Sequence, residues 1–227
     1  MSQANFFKVF IGLETPNIAS LKECGKFQNT INLTGAIKII QQAGLQVMGG
    51  FIVGFDNDPE DIFDIQIKFI QETGVVVAMV GTLIALPQTR LWKRLIKEGR
   101  ILGETSGENI DTQINFIPKM DKTVLVTGYK KILSEIYSPS LYYKRIETFL
   151  KNYQSTVRSK VSIKDTIEGT KTLFNSMIEI GIKSEARWHY WKLLAKTLLT
   201  KPKAFSAAVE LTIMGVHFQK ITKKIIG

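Results

Sequence analysis

Val47-Met48-Gly49-Gly50-Phe51-Ile52-Val53-Gly54-Phe55 is an apolar run too short for a core helix and carrying three glycines. A run of this length, rich in β-branched and aromatic residues, reads as a buried strand over 47–53. Glycine inside a strand weakens it and marks close approach by a ligand or by another backbone. Gly50, Ile52 and Gly54 alternate, so a strand places them on one face. That face offers a flat slot for a planar group, or a seat for tight helix–sheet packing.

Two similar runs flank it. Lys8–Leu13 (KVFIGL) reads as a strand before it, and Val75–Ile84 as a strand after it. Helical signals separate the three. A short helix is expected at about 18–23, stopped by Gly25, and a second at about 33–42, capped by Asn32. Asp58-Pro59-Glu60-Asp61 combines a capping carboxylate, proline at a first helical position and first-turn acids, so a helix from there to about Glu72 is expected. Thr89 can cap a further helix ending at Gly99. All three strands look apolar on both faces, as in a parallel sheet covered by helices. The fold class expected is α/β: half of a parallel (β/α) partial barrel, about three βα units, followed by an all-helical C-terminal region.

The helical region has its own punctuation. Asp121 can cap 122–137, Ser138-Pro139 opens 139–152, Ser162 with Asp165 resembles a capping box for 163–180, and Ser184 can cap 185–199. A last helix covers about 204–225. Residues 100–120 read as a loop. Two units are expected, 1–118 and 119–227.

Charge divides the chain. Residues 1–150 carry 16 Lys/Arg against 15 Asp/Glu, and residues 151–227 carry 14 against 5. A basic helical tail can meet anionic lipid or an acidic protein, or be a solvated face. No nucleic-acid motif accompanies the charge, so no nucleic-acid partner is expected. With 44% apolar residues the chain can build a packed core. Cys24 is its one cysteine, which excludes an internal disulfide and suits a reducing cytoplasm. The first residues show no basic stretch followed by an apolar run. The most apolar stretch, Val75–Leu86, is too short to span a bilayer.

Three segments join a strand end to polar residues: Phe10-Ile11-Gly12-Leu13-Glu14-Thr15-Pro16-Asn17, Gly49–Phe55, and Thr82-Leu83-Ile84-Ala85-Leu86-Pro87-Gln88-Thr89. Ligands in βα folds sit at that rim, where loops converge and helix N-termini point inward. Glu14, Thr15 and Asn17 can equally turn the chain and cap the next helix. The acids at 56, 58, 60 and 61 could suggest a metal; capping explains them better.

In order and spacing, the three segments together resemble the second half of the radical S-adenosylmethionine core. FIGLETPN is similar to its fourth strand, GGFIVGF to its fifth with a Gly-x-Ile-x-Gly motif, and LPQTRLWKRLIKEGRI to its sixth strand exit. Gln88 stands where that family usually has glycine. The region after about 120 is similar to the C-terminal extension of cobalamin-binding members, which include hopanoid methylases. The resemblance implies that Glu14 and Thr15 contact the ribose or methionine part of S-adenosylmethionine. It implies that Gly50, Ile52 and Gly54 line the adenine, and that backbone at Ala85 and Leu86 completes the site.

The resemblance also implies a four-iron four-sulfur cluster and a cobalamin that these residues do not ligate. The family's first three strands and Cys-x-x-x-Cys-x-x-Cys loop are not in this sequence, and one cysteine cannot replace three thiolates. The expected function is therefore the C-terminal portion of a cobalamin-dependent, methyltransferase-like enzyme, inactive as an isolated chain. Its partner would be an N-terminal half, or a second copy joined through the exposed edge of strand 8–13. A hydrophobic or lipid substrate and a peripheral membrane contact fit the aromatic, basic tail. The alternative is a non-catalytic half-barrel module that binds a lipid surface or a partner protein through that tail.

His189 and His217 lack ligand partners at metal-like spacing and read as structural. Trp188 and Trp191 share a helix face and read as core, the alternative being an aromatic platform for a substrate or a membrane interface.

Overall fold

The computed structural model describes residues 6–103, 114–155 and 163–227. Strands β1 (Lys8–Glu14), β2 (Gln46–Val53) and β3 (Val77–Thr82) form a parallel sheet in the order β1-β2-β3. Helices α1 (Ile18–Glu23) and α2 (Leu33–Gln42) link the first two strands, and α3 (Ile62–Thr73) links the second pair. After β3 come α4 (Arg90–Lys97), α5 (Lys122–Ile136), α6 (Pro139–Asn152), α7 (Ile163–Glu179), α8 (Arg187–Thr200) and α9 (Phe205–Ile226). The architecture is α/β and mostly helical.

Local chemistry sets most boundaries. Asn17 accepts from Ala19 N, Asn32 from Gly35 N, Thr89 from Trp92 N, and Asp121 from Thr123 N and Val124 N. Each satisfies an N–H that the first helical turn leaves unpaired. The capping box at Ser162 lies outside the described residues.

The start of α3 differs from expectation. Asp58 does not cap a helix; its Oδ2 accepts from Gly54 N at 2.8 Å and Phe55 N at 3.0 Å, and its Oδ1 from Ser20 Oγ at 2.6 Å. Three donors brought in from β2's exit and α1 outcompete the local helix turn, and α3 begins only at Ile62. Burial pushes the Asp58 carboxyl up from its ordinary value, against the pull of these bonds. Within the stretch read as a loop, Ile101 and Phe116 form an antiparallel bridge.

The sheet has unequal faces. On the outer one Val47, Phe51 and Val53 are buried, and Phe51 meets Phe69 of α3 edge-on at 6.3 Å. The inner face is not covered to the same degree. Phe10 is 57% exposed there, Met79 46%, and Gly50 and Ile52 are half-buried. Both faces being apolar therefore does not mean both are packed.

Helices α3, α5, α6 and α9 share one core. Gly128 lets α5 approach α3, because a Cβ there would stand 2.3 Å from the Phe63 ring. Arg145 of α6 is fully buried and has no carboxylate partner among the described residues. It donates to Gln71 Oε1, Ile136 O and Val76 O, and lies over the Tyr137 and Tyr142 rings at 5.6 and 5.2 Å. Carbonyl dipoles and ring faces replace the counterion. Helix α9 is tied across the molecule by Lys8–Glu210 and by Tyr142 Oη donating to Leu211 O at 2.7 Å.

Trp188 and Trp191 are not core residues. Trp188 is 76% exposed, and Trp191 lies against Gly181 and donates its Nε1 to Gly181 O at 3.0 Å. Spacing correctly put them on one face. The core side of α8 is the opposite one: Tyr190, Leu193, Leu194 and Thr197.

Candidate functional site

A cavity of about 520 Å³ opens on the inner face of the sheet. Its floor is Phe10, Gly12 and Glu14 from β1, Gly50 and Ile52 from β2, and Met79 and Gly81 from β3. Thr82, Leu83, Ile84 and Leu86 form the rim after β3. Tyr129 and Leu133 of α5, with Tyr137 just after it, form one wall, and His217, Phe218, Ile221, Thr222 and Ile225 of α9 another.

The register explains the floor. Gly12 pairs with Gly50, and Gly50 with Met79. A Cβ on Gly12 would stand 2.6 Å from Glu14 Oε1, so this glycine makes room for the Glu14 carboxylate over the sheet. A Cβ on Gly50 would stand 3.1 Å from Phe10 Cζ. These two side-chain-free positions lie side by side, with the Phe10 ring over one and the Glu14 carboxylate over the other.

Glu14 is strained into place. Its φ is +62°, uncommon for a residue with a Cβ. Thr15 N donates to Leu13 O across it at 2.9 Å, a γ-turn with the rarer sign of φ, and the β1–β2 register shifts between Gly12 and Glu14. Asn29 holds the turn by donating its Nδ2 to Gly12 O and Leu13 O. Lys26 Nζ lies 3.2 Å from Glu14 Oε1. Strain at a cavity-facing carboxylate marks a candidate functional position.

The structure brings four of the seven residues read from the sequence to this cavity: Glu14, Gly50, Ile52 and Leu86. The other three point elsewhere. Thr15 is fully buried, and its Oγ1 accepts from Asn17 N at 3.2 Å, which is turn chemistry. Gly54 has left the strand with φ +103°, so the alternation that would align it with Gly50 ends at Val53; its Cβ direction meets Leu125 of α5 at 2.9 Å. Ala85 offers no free N–H, because Asn115 Oδ1 accepts from it at 2.9 Å while Asn115 Nδ2 donates to Ala85 O at 2.8 Å. Gln88 takes φ +68°, the left-handed conformation that glycine would adopt, so the rim turn keeps a glycine-type backbone without glycine.

Sequence reasoning missed the helical walls. His217, Ile221 and Ile225 recur every fourth residue, with Phe218 and Thr222 beside them, a one-sided pattern hidden by α9's apolar character all round. Phe218 stacks on Tyr137 at 5.1 Å with 10° between the planes. Tyr137 Oη donates to Ala78 O at 2.8 Å and accepts from Ala78 N at 3.3 Å, which closes β3 against α5. Desolvation pushes the Tyr137 phenol up to about 12. Thr82 Oγ1 is buried at the rim with no hydrogen-bond partner among the described residues. Burial raises the Tyr129 phenol.

The residues present suit a flat organic ligand better than a metal cluster. An orphaned buried hydroxyl, a trough between glycines and a carboxylate over a sheet face suit a flat, hydrogen-bonding ligand. The donor set does not suit iron and sulfur. Cys24 is the one cysteine, it is exposed, and its thiol is raised above the ordinary value, first by desolvation. Among the described residues no three His, Cys, Asp or Glu side chains group as metal ligands. Asp56 is instead engaged by Arg100 and Arg94, at 2.7 and 3.1 Å.

Residues 89–227 match the family described as a domain of unknown function, DUF4070, and the chain belongs to that family. It is similar to an uncharacterized methyltransferase of Synechocystis, 32% identical over 233 residues that cover 100% of this chain and 43% of that protein. It is similar to the hopanoid C-2 methylase of Rhodopseudomonas palustris, 27% identical over 208 residues covering 88% of this chain and 38% of that protein. An uncharacterized methyltransferase of Pyrococcus horikoshii is 27% identical over 168 residues, covering 74% and 33%. The chain spans about two fifths of the length of the first two relatives.

Proposed function

We propose that the chain is the C-terminal portion of a methyltransferase-type enzyme of the radical S-adenosylmethionine kind, and that its cavity takes the adenosine end of that cofactor. On this reading the three strands are half of a (β/α) barrel, and helices α5 and α9 close its open side. The observation that carries the proposal is the convergence of Glu14, Gly50, Ile52 and Leu86 on one cavity. Methyltransferase names among the relatives support the reaction class.

Each residue has a role in that reading. The Gly12–Gly50 row seats the adenine, with Phe10 swinging aside to cover its face. Glu14, steadied by Lys26 and Asn29, accepts hydrogen bonds from the ribose hydroxyls. Thr82 Oγ1 gains in the ligand the partner that the protein does not give it. Bound there, S-adenosylmethionine would supply an alkyl group on an electrophilic sulfonium. The apolar walls from α5 and α9 exclude water and suit a hydrophobic acceptor. We assign neither an iron–sulfur cluster nor a cobalamin to these residues, and the chain alone is inactive on this account.

Hydrogen exchange with and without S-adenosylhomocysteine tests the proposal. Protection is expected at residues 10–15, 48–53 and 82–88. Protection confined to α6–α8, or none at saturating ligand, contradicts it.

A further inference from the structure

Helix α8 has an outward face as apolar as its inward one. Trp188, Ala195 and Leu199 follow one another along the side opposite Tyr190, Leu193, Leu194 and Thr197, with Trp191 and Leu198 beside them. Leu199 is 84% exposed. Ile182, in the turn before the helix, is exposed as well. Surface helices normally put charge where this one puts indole and leucine.

The flanks are basic. By helical position Arg187 lies beside Trp191 and Leu198, and Lys192 beside Trp188 and Leu199. Neither forms an ion pair among the described residues, whereas Lys183 and Lys196 pair with Glu179 and Glu147. Glu185 is the exposed acid just before the helix. Residues 151–227 carry 14 Lys/Arg against 5 Asp/Glu, so the face belongs to a strongly basic part of the chain.

We propose that the outward face of α8 docks on an anionic lipid bilayer, with Trp188, Leu198 and Leu199 entering the headgroup boundary and Arg187 and Lys192 meeting lipid phosphates. Indole rings favour that boundary, long basic side chains reach its charge, and anionic headgroups attract a basic segment. Charge argues against a second copy as the occupant, since two such faces repel. Among the described residues no helix is long and apolar enough to cross a membrane, so the contact is one of lying on the surface.

Flotation of the full chain with vesicles tests this. Binding is expected to phosphatidylcholine vesicles containing phosphatidylglycerol, to weaken with added salt, and to be lost on pure phosphatidylcholine. Trp188→Ser with Leu199→Ser should lower binding at least about tenfold with an unchanged circular dichroism spectrum. Arg187→Gln with Lys192→Gln should lower it on anionic vesicles. The proposal is overturned if the wild-type chain does not float. Equal flotation of the Trp188/Leu199 variant also overturns it, as does a lipid-free dimer that this variant dissociates. Gly50→Val should bind vesicles like wild type, so this result stands apart from the adenosine reading.

Discussion

Gly12 and Gly50 stand side by side in the pairing of β1 with β2, and the ring of Phe10 reaches to 3.1 Å from where a Cβ on Gly50 would sit. A parallel sheet gains nothing in stability from two glycines in one row. It gains a place where a flat group can approach the backbone, under a ring exposed enough to move.

Tyr137→Phe should destabilise the protein. The phenol serves both backbone groups of Ala78, which is itself buried. Removing it leaves a donor and an acceptor without that partner, at a cost of about 1–3 kcal/mol. Urea denaturation should show the midpoint falling with an unchanged slope.

Thr82→Val should have opposite effects on folding and binding. The hydroxyl is buried without a partner among the described residues, so its loss leaves stability unchanged or raises it by up to about 1 kcal/mol. Affinity for S-adenosylhomocysteine should fall. Thermal melting and calorimetric titration of one sample read both, and a variant that melts lower while binding normally contradicts the role given to Thr82.

Asp56 should contribute to acid sensitivity. Its hydrogen bond from Arg100 holds its carboxyl below the ordinary value of 3.8, with Arg94 adding to the pull. A lowered folded-state value means this stabilisation is complete above that ordinary value and lost as pH falls through the folded one. Asp58 runs the other way: burial raises it, so its share of stability declines as pH rises from 3.8 through its folded value. Urea unfolding across pH 2 to 6 should show an acid-side loss in wild type that is reduced in Asp56→Asn.

Reconstitution of the isolated chain with iron and sulfide should yield no 5′-deoxyadenosine from S-adenosylmethionine under reducing conditions. One exposed cysteine cannot supply the thiolates of a cluster. Product above a protein-free background would refute the inactivity assigned to this chain.

Elements dictated by local chemistry were legible in the sequence. The caps at Asn32, Thr89 and Asp121 work as their residue types suggest, and α1, α2 and α6 occupy the expected ranges. Long-range competition was not legible. Asp58 has every local feature of a helix cap, yet donors from residues 20, 54 and 55 claim it. Periodicity places Trp188 on a face but does not say which face meets the core, because both sides of α8 are apolar. Arg145 gives no sign in one dimension that carbonyls and two rings await it. At the site, strand alternation found Gly50 and Ile52 but could not show that a positive φ ends the strand before Gly54. The α9 wall, more than 160 residues from Gly50, had no local signal to connect it to the sheet.

Calorimetric titration of 5′-deoxyadenosine into the wild-type chain and Gly50→Val tests the central claim most directly. The account expects saturable one-to-one binding by wild type and an affinity lower by about tenfold or more, roughly 1.4 kcal/mol, in a variant that still folds. Equal binding by both chains, or no binding by wild type at any attainable concentration, would contradict it.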